Sequence, residues 1–251
     1  SGPAAGVAAT IHLAKEINLE NIITLDVGGT SSDVALIANS TFPLKRETIF
    51  EGMIIKLPQL DIHTVGAGGG SIASLDDGGG LQVGPESAGA VPGPAAYGRG
   101  GSLPTVTDAN VVLERLGANQ QMGGSLGIDY KKAVTAISNI ATKAGITPEN
   151  MAEAILRLAV AKIAAAVQEI SAMRGHDPRD FALVSYGGAG PLHAALVAAE
   201  VGIKKVVIPP TPGAFSAFGT LCSPLTKDKS ETVLRPMNTD TLETARHLNN
   251  K

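Results

Sequence analysis

The sequence predicts an α/β domain. Three observations carry that reading: a strand–glycine turn–helix–strand unit towards the C-terminal end, a helix followed directly by consecutive strands at the N-terminal end, and a helical middle. A strand that returns through a helix to another strand is the mark of a parallel sheet.

Taken in order, Pro3 to Ile17 reads as a helix, with Ser1 as its cap and Pro3 in its first turn. Asn21 to Asp26 is a short apolar run with β-branched Ile22, Ile23 and Thr24, the pattern of a buried strand. A turn follows over residues 27–32, then a second strand from Asp33 to Ala38. Further strand patterns lie near Thr48 to Leu57 and Leu60 to Val65. Gly66 to Gly101 is a long stretch rich in glycine and proline, in which Ser71 to Leu75 and Leu81 to Val83 read as short strands. A loop of that length in a compact domain is usually functional or mobile. Thr107 or Asp108 is expected to cap a helix that ends before Gly117, and Asp129 a second that ends before Gly145. Thr147-Pro148-Glu149 opens the longest helix, whose stripe is Leu156, Val160, Ile163, Val167 and Ile170. Phe181 to Ser185 reads as a buried strand, Pro191 to Val201 as a helix and Lys204 to Pro209 as a strand. After Thr226 only a helix near Thr241 is suggested.

Composition narrows the function. The chain has 251 residues, 44% hydrophobic and 17% charged, so a packed core is expected. A net charge of -3 argues against an electrostatic nucleic-acid binder, and 3% aromatics against base stacking. The single cysteine, Cys222, excludes an internal disulfide or multi-cysteine zinc site, and reads as a small buried residue. No apolar run approaches the roughly 20 residues of a membrane span, so a cytoplasmic location without membrane contact is expected. The chain starts at Ser1 with no Met, which suggests a processed or tagged chain or a segment of a longer protein.

Asp26-Val27-Gly28-Gly29-Thr30-Ser31-Ser32-Asp33 is the most specific local signal. Gly28 and Gly29 allow backbone N–H groups to approach an anion, and Thr30, Ser31 and Ser32 add hydroxyl donors. Asp26 and Asp33 bracket the turn, where carboxylates suit a hydrated Mg²⁺ beside a phosphate. The turn joins strand to strand, unlike a Walker loop or dinucleotide fingerprint, so a polar hairpin turn is the competing reading. Asp26, at the end of an apolar strand, weighs for function, because an unpaired buried carboxylate is costly.

Gly187, Gly188 and Gly190 lie at a strand-to-helix junction, which suits either an anion at the helix N-terminus or a close connection needing small residues. Gly66 to Gly70 only partly matches a dinucleotide fingerprint, since Ser71 takes the last glycine position. Asp61 and His63, two apart, would share one face of a strand and could hold a metal or substrate; a surface pair is the alternative. His12 and His176 read as solvent or cap histidines.

Together these motifs resemble the hydantoinase A/oxoprolinase family, related to the larger subunits of acetone and acetophenone carboxylases. The matching stretches are Asp26 to Leu36, Asp61 to Ala73, Gly84 to Gly101, Thr105 to Gly117, Tyr186 to Ala194 and Val206 to Gly219. One departure is Ala96, where the family often has a cysteine. The resemblance implies a ribonuclease-H-like, actin-like ATPase half with helical and glycine-rich insertions, spanning residues 1–226, with 227–251 a tail leading into a missing region. It implies Asp26 and Asp33 as catalytic residues. Gly28, Gly29, Thr30 and Ser31 would form the phosphate turn, with Gly187, Gly188 and Gly190 on the adenosine side. ATP and Mg²⁺ are the implied cofactors, the metal held through Asp26. Implied partners are a missing N-terminal half, which would carry its own D-x-G-G-T turn, a hydantoinase B-type subunit or domain, and a small cyclic amide. The implied chemistry is ATP-dependent cleavage of a cyclic amide such as a hydantoin or 5-oxoproline. The alternatives are a segment of the ATPase-bearing subunit of a ketone carboxylase, or a non-catalytic assembly module. The segment alone is expected to turn over little ATP.

Overall fold

The computed structural model describes residues 2–45, 47–50, 52–56, 59–117 and 127–223. Helix α1 (Gly2–Glu16) leads into β1 (Ile22–Val27), which turns directly into β2 (Ser32–Ile37). Short strands β3 (Leu44–Lys45), β4 (Thr48–Phe50), β5 (Met53–Ile55) and β6 (Gln59–Leu60) precede β7 (Ile62–Val65). β8 (Ser71–Leu75) and β9 (Leu81–Ser87) form a separate hairpin. Helices α2 (Val106–Val112), α3 (Tyr130–Ala144) and α4 (Pro148–Met173) follow. The chain then runs through β10 (Ala182–Tyr186), α5 (Gly190–Val201), β11 (Lys205–Val207) and α6 (Phe215–Cys222).

The main sheet has five strands in the order β11-β10-β1-β2-β7. β1 runs antiparallel to β2 and parallel to β10, β2 antiparallel to β7, and β10 parallel to β11. The centre of the sheet is thus made by both ends of the chain, which explains why β1 and β10 read as continuous apolar runs: both are covered on both faces. On one face, Ile23, Leu25, Val34, Leu36 and Leu183 pack against α4 and α5, and the α4 stripe from Leu156 to Ile170 is buried as its spacing predicts. On the other, Ile22, Ala35, Ile37, Val184 and Tyr186 pack under α1 and α6 through Val7, Ala9 and Phe215. Each fully buried side chain of this size contributes about 1.5–3 kcal/mol. A second core joins α2, α3, the start of α4 and the β8–β9 hairpin.

The structure differs from the sequence reading at several places. Where the sequence suggests one strand near Thr48 to Leu57, β4 and β5 pair as a hairpin, with Gly52 at a left-handed φ of +80° between them. The cap of α2 is Thr105; Asp108 sits three residues on and completes a capping box with it, and Thr107 lies inside the helix. Helix α6 was not legible in the sequence. Cys222, at its end, is half-buried instead of buried, because the helix stops at the protein surface there. Ser1 and the tail from residue 224, including the helix suggested near Thr241, lie outside the described residues. Among the described residues no helix is long and apolar enough to cross a membrane.

Candidate functional site

The turn between β1 and β2 is closed by the Gly28 amide donating to the Ser31 carbonyl at 3.0 Å. The segment from Ala67 to Gly70 lies across it. The amides of Gly69 and Gly70 donate to the carbonyls of Gly28 (2.9 Å) and Gly29 (2.5 Å), and the Ser32 hydroxyl donates to the Ala67 carbonyl. A Cβ at Gly68 would stand 2.8 Å from the backbone of Thr30 and Ser31, so this glycine is needed for the close approach. The Gly66 to Gly70 run is therefore no dinucleotide loop; it is the support that fixes the phosphate-turn candidate from behind. Thr107 in turn holds Gly69, its amide and hydroxyl both donating to the Gly69 carbonyl at 2.7 and 2.8 Å.

With its carbonyls occupied, the turn presents its amides outward. Those of Gly29 and Thr30 have no partner among the described residues. The Gly187–Gly190 loop comes to the same end of the sheet: Ala189 donates to the Val27 carbonyl at 2.9 Å and Gly187 to the Pro212 carbonyl at 3.0 Å, while the Gly188 amide has no partner among the described residues. A Cβ on Gly29 or Gly188 would meet nothing within 4 Å, and neither residue has a left-handed φ. Packing does not require glycine at either position, and glycine there leaves the free amides unobstructed. These donors fit an anionic ligand such as a nucleotide phosphate.

Asp26 is the next-to-last residue of β1 and lies directly opposite Asp33 in the β1–β2 ladder. Burial raises the pKa of Asp26; a 3.2 Å hydrogen bond from the Ser216 hydroxyl opposes this, and the charge of Asp33 adds to it. Asp33 accepts from the Thr64 hydroxyl. Tyr186, paired with Asp26 in the parallel ladder, is held protonated by its burial and then by the Asp26 charge. A pair of hard carboxylate oxygens suits Mg²⁺, which typically takes one or two carboxylates and fills its shell with water and phosphate oxygens. Among the described residues no group of three or more His, Cys, Asp or Glu side chains could hold a metal. A cation here would rest on this pair.

Asp61 and His63 do not converge. Asp61 is buried between Lys45, at 2.6 Å, and Arg174. Burial alone would raise its pKa, but the hydrogen bonds from the two cations outweigh that and the net shift is down. His63 instead faces Glu169 at 3.6 Å. Asp61 thus ties the strand excursion to the end of α4, and a metal there would have to displace two cations. His12 contacts Glu16 and the Phe218 ring, and His176 the Phe181 ring. His193 is buried on α5, where burial first and the nearby Arg115 second push its pKa down to about 4. Cavities of about 500 and 720 Å³ lie away from the glycine turns, the first beside the starts of β10 and β11, the second between α4 and α5. Sequence reasoning missed Ser216 and the 66–70 support; only the glycine density of the latter was a signal.

A mixed α/β domain with two glycine turns that present free amides beside two carboxylates defines the class. The chain belongs to the hydantoinase/oxoprolinase family, which it matches over residues 1–229. It is 42% identical over 241 residues to the caprolactamase α subunit of Pseudomonas jessenii, an alignment covering 96% of this chain and 34% of that subunit. The solved structure of the ATP-dependent caprolactamase superposes with a TM-score of 0.78 at 42% identity over 86% of this chain and 31% of that one. The nucleotide-free structure of acetone carboxylase gives 0.81 at 32% identity over 87% and 31%. The 5-oxoprolinase of Saccharomyces cerevisiae is 38% identical over 244 residues, 92% of this chain and 19% of that enzyme. The chain therefore spans about a third or less of the length of each of these proteins.

Proposed function

We propose that this chain supplies one side of the nucleotide cleft of an ATP-dependent hydrolase of cyclic amides, with lactams and 5-oxoproline-like rings as the substrate class. The observation that carries it is the set of free amides at Gly29, Thr30 and Gly188, on two loops joined through the Val27 carbonyl and flanked by Asp26 and Asp33. Relatives named as a caprolactamase and a 5-oxoprolinase support the substrate class. A three-strand antiparallel meander extended by two parallel strands supports the ribonuclease-H-like, actin-like assignment.

Gly29, Thr30 and Ser31 would hold phosphate oxygens, whereas Gly28, expected from the sequence to share in this, spends its amide on closing the turn; Asp26 and Asp33 would hold the Mg²⁺, and Gly187, Gly188 and Gly190 the nucleoside side. Bound ATP would supply a phosphoryl group that turns the amide oxygen, a poor leaving group, into a good one. The chain's own contribution is positioning and charge balance, which dominate phosphoryl-transfer catalysis. The remaining cleft wall and the substrate contacts are assigned to an N-terminal half and a hydantoinase B-type partner. A ketone carboxylase segment is the second reading, favoured by the superposition on acetone carboxylase.

The decisive experiment is titration of the 251-residue chain with Mg·ATP, followed by phosphate-release assays with caprolactam, 5-oxoproline and a hydantoin, with and without bicarbonate. Weak binding, near millimolar (about −4 kcal/mol), with negligible turnover by the chain alone is expected of one half-site. Robust amide-stimulated turnover by the chain alone would overturn the half-site reading, and no nucleotide binding would overturn the nucleotide site.

A further inference from the structure

Helix α6 reaches the candidate site from a part of the chain with no glycine motif of its own. Three contacts fix it there. A Cβ at Gly219 would overlap the Ala5 carbonyl oxygen, so α6 lies backbone to backbone on α1. Phe215 packs on Tyr186 with ring centroids 5.0 Å apart. The Pro212 carbonyl, just before the helix, accepts from the Gly187 amide. These contacts place Ser216 with its hydroxyl donating to Asp26 Oδ2 at 3.2 Å. The other carboxylate oxygen, Oδ1, lies against Gly187, where a Cβ would overlap it. The Asp26 side chain is thus gripped from two sides, by α6 and by the second glycine loop.

We propose that Ser216 is a positioning residue of the candidate nucleotide site: its hydroxyl fixes the orientation of the Asp26 carboxylate, making α6 a third wall beside the two glycine loops. This rests on the nucleotide reading above. A serine hydroxyl can donate to a carboxylate, and with Oδ1 packed against Gly187 the bond to Oδ2 holds the Asp26 carboxylate in one orientation. The neighbouring Phe215 and Gly219 are buried, whereas Ser216 is half-buried on the side of α6 turned to the sheet end. Substitution there is therefore expected to spare the packing that holds the helix.

The test compares wild type, Ser216→Ala, Ser216→Thr, Asp26→Asn and the Ser216→Ala/Asp26→Asn double variant. Affinity for ATP is measured with Mg²⁺ and again with EDTA, beside a thermal melt of each protein. Ser216→Ala is expected to weaken Mg·ATP about tenfold, to leave metal-free ATP within about twofold, and to melt as wild type. Ser216→Thr restores the Mg²⁺-dependent part. In the Asp26→Asn background the alanine substitution has no further effect, because Ser216 acts through that carboxylate. Equal Mg·ATP affinity in wild type and Ser216→Ala, or additive losses in the double variant, would overturn the role of Ser216 while leaving the nucleotide site standing. If Ser216→Ala melts early, Ser216→Thr and the double-variant comparison decide. No Mg·ATP binding by wild type would overturn the nucleotide reading itself, and this role with it.

Discussion

Asp26 and Asp33 face each other across the β1–β2 ladder, two carboxylates at opposite ends of one glycine turn. Like charges directly opposite in a ladder are destabilising, and Asp26 is partly buried as well, so the fold carries this pair at a cost. Asp26→Asn is expected to stabilise the chain by about 1 kcal/mol at neutral pH while weakening Mg·ATP binding to a lower, still measurable affinity. Urea midpoints and calorimetric titration read the two effects separately. A variant that is both less stable and equally able to bind would show that the pair is structural.

The two glycine classes in the site separate in the same way. Gly29→Ala places its methyl in open space and is expected to melt within about 2 °C of wild type while weakening nucleotide binding at least several-fold. Gly68→Ala forces its methyl against the backbone of Thr30 and Ser31 and is expected to lower stability by about 1–3 kcal/mol. Equal melting points for the two variants would contradict the assignment of Gly68 as support and Gly29 as ligand face.

His193 makes stability depend on pH. Its folded pKa of about 4 lies below the unfolded value near 6.5, so in that window the unfolded chain binds the extra proton. This contribution is complete above pH 6.5 and is lost progressively as pH falls towards 4. Between pH 7.5 and 5.5 it amounts to about 1 kcal/mol. Denaturant unfolding of wild type and His193→Gln at the two pH values should show that the variant lacks this share of the slope.

Asp108 is fully buried and accepts from the amides of Ala95, Ala96 and Thr105 and from the Thr105 hydroxyl. It ties the residue 94–98 segment to the start of α2. Asp108→Ala leaves these donors unpaired and is expected to cost about 3 kcal/mol or more, with Asp108→Asn costing less because one acceptor oxygen remains. Urea unfolding followed by circular dichroism checks the order; an alanine variant as stable as the asparagine one would refute it.

Local chemistry was legible where it decides structure locally. The α4 stripe, the Asp129 and Thr147 caps and the β10–α5–β11 unit each follow from spacing or capping residues within a few positions. The two glycine turns were legible for the same reason. The Gly69 and Gly70 bonds to the first turn, the Lys45–Asp61–Arg174 cluster and the Ser216–Asp26 contact join residues far apart in sequence, and no local pattern encodes them. Helix α6 escaped because Phe215 to Cys222 shows no polar cap at its start; its Ala214 cap makes no side-chain hydrogen bond, and the helix is held by α1 and Tyr186 instead. Asp61 and His63 share a sequence neighbourhood but serve different partners, which spacing alone does not distinguish.

The parallel ladder of β1 with β10 pairs Ile22 with Ala182 and Asp26 with Tyr186, partners separated by more than half the chain. During synthesis β1 and β2 leave the ribosome long before β10 exists, so the middle of the sheet has an open edge until Tyr186 has cleared the exit tunnel. Pairings this distant are slow to form and leave nascent chains prone to aggregation. Arrest-peptide force profiling should therefore place the main folding event after Tyr186 emerges, and truncations upstream of Ala182 should yield insoluble chains. A force peak with only β1 and β2 outside the tunnel would show that the N-terminal meander folds unaided.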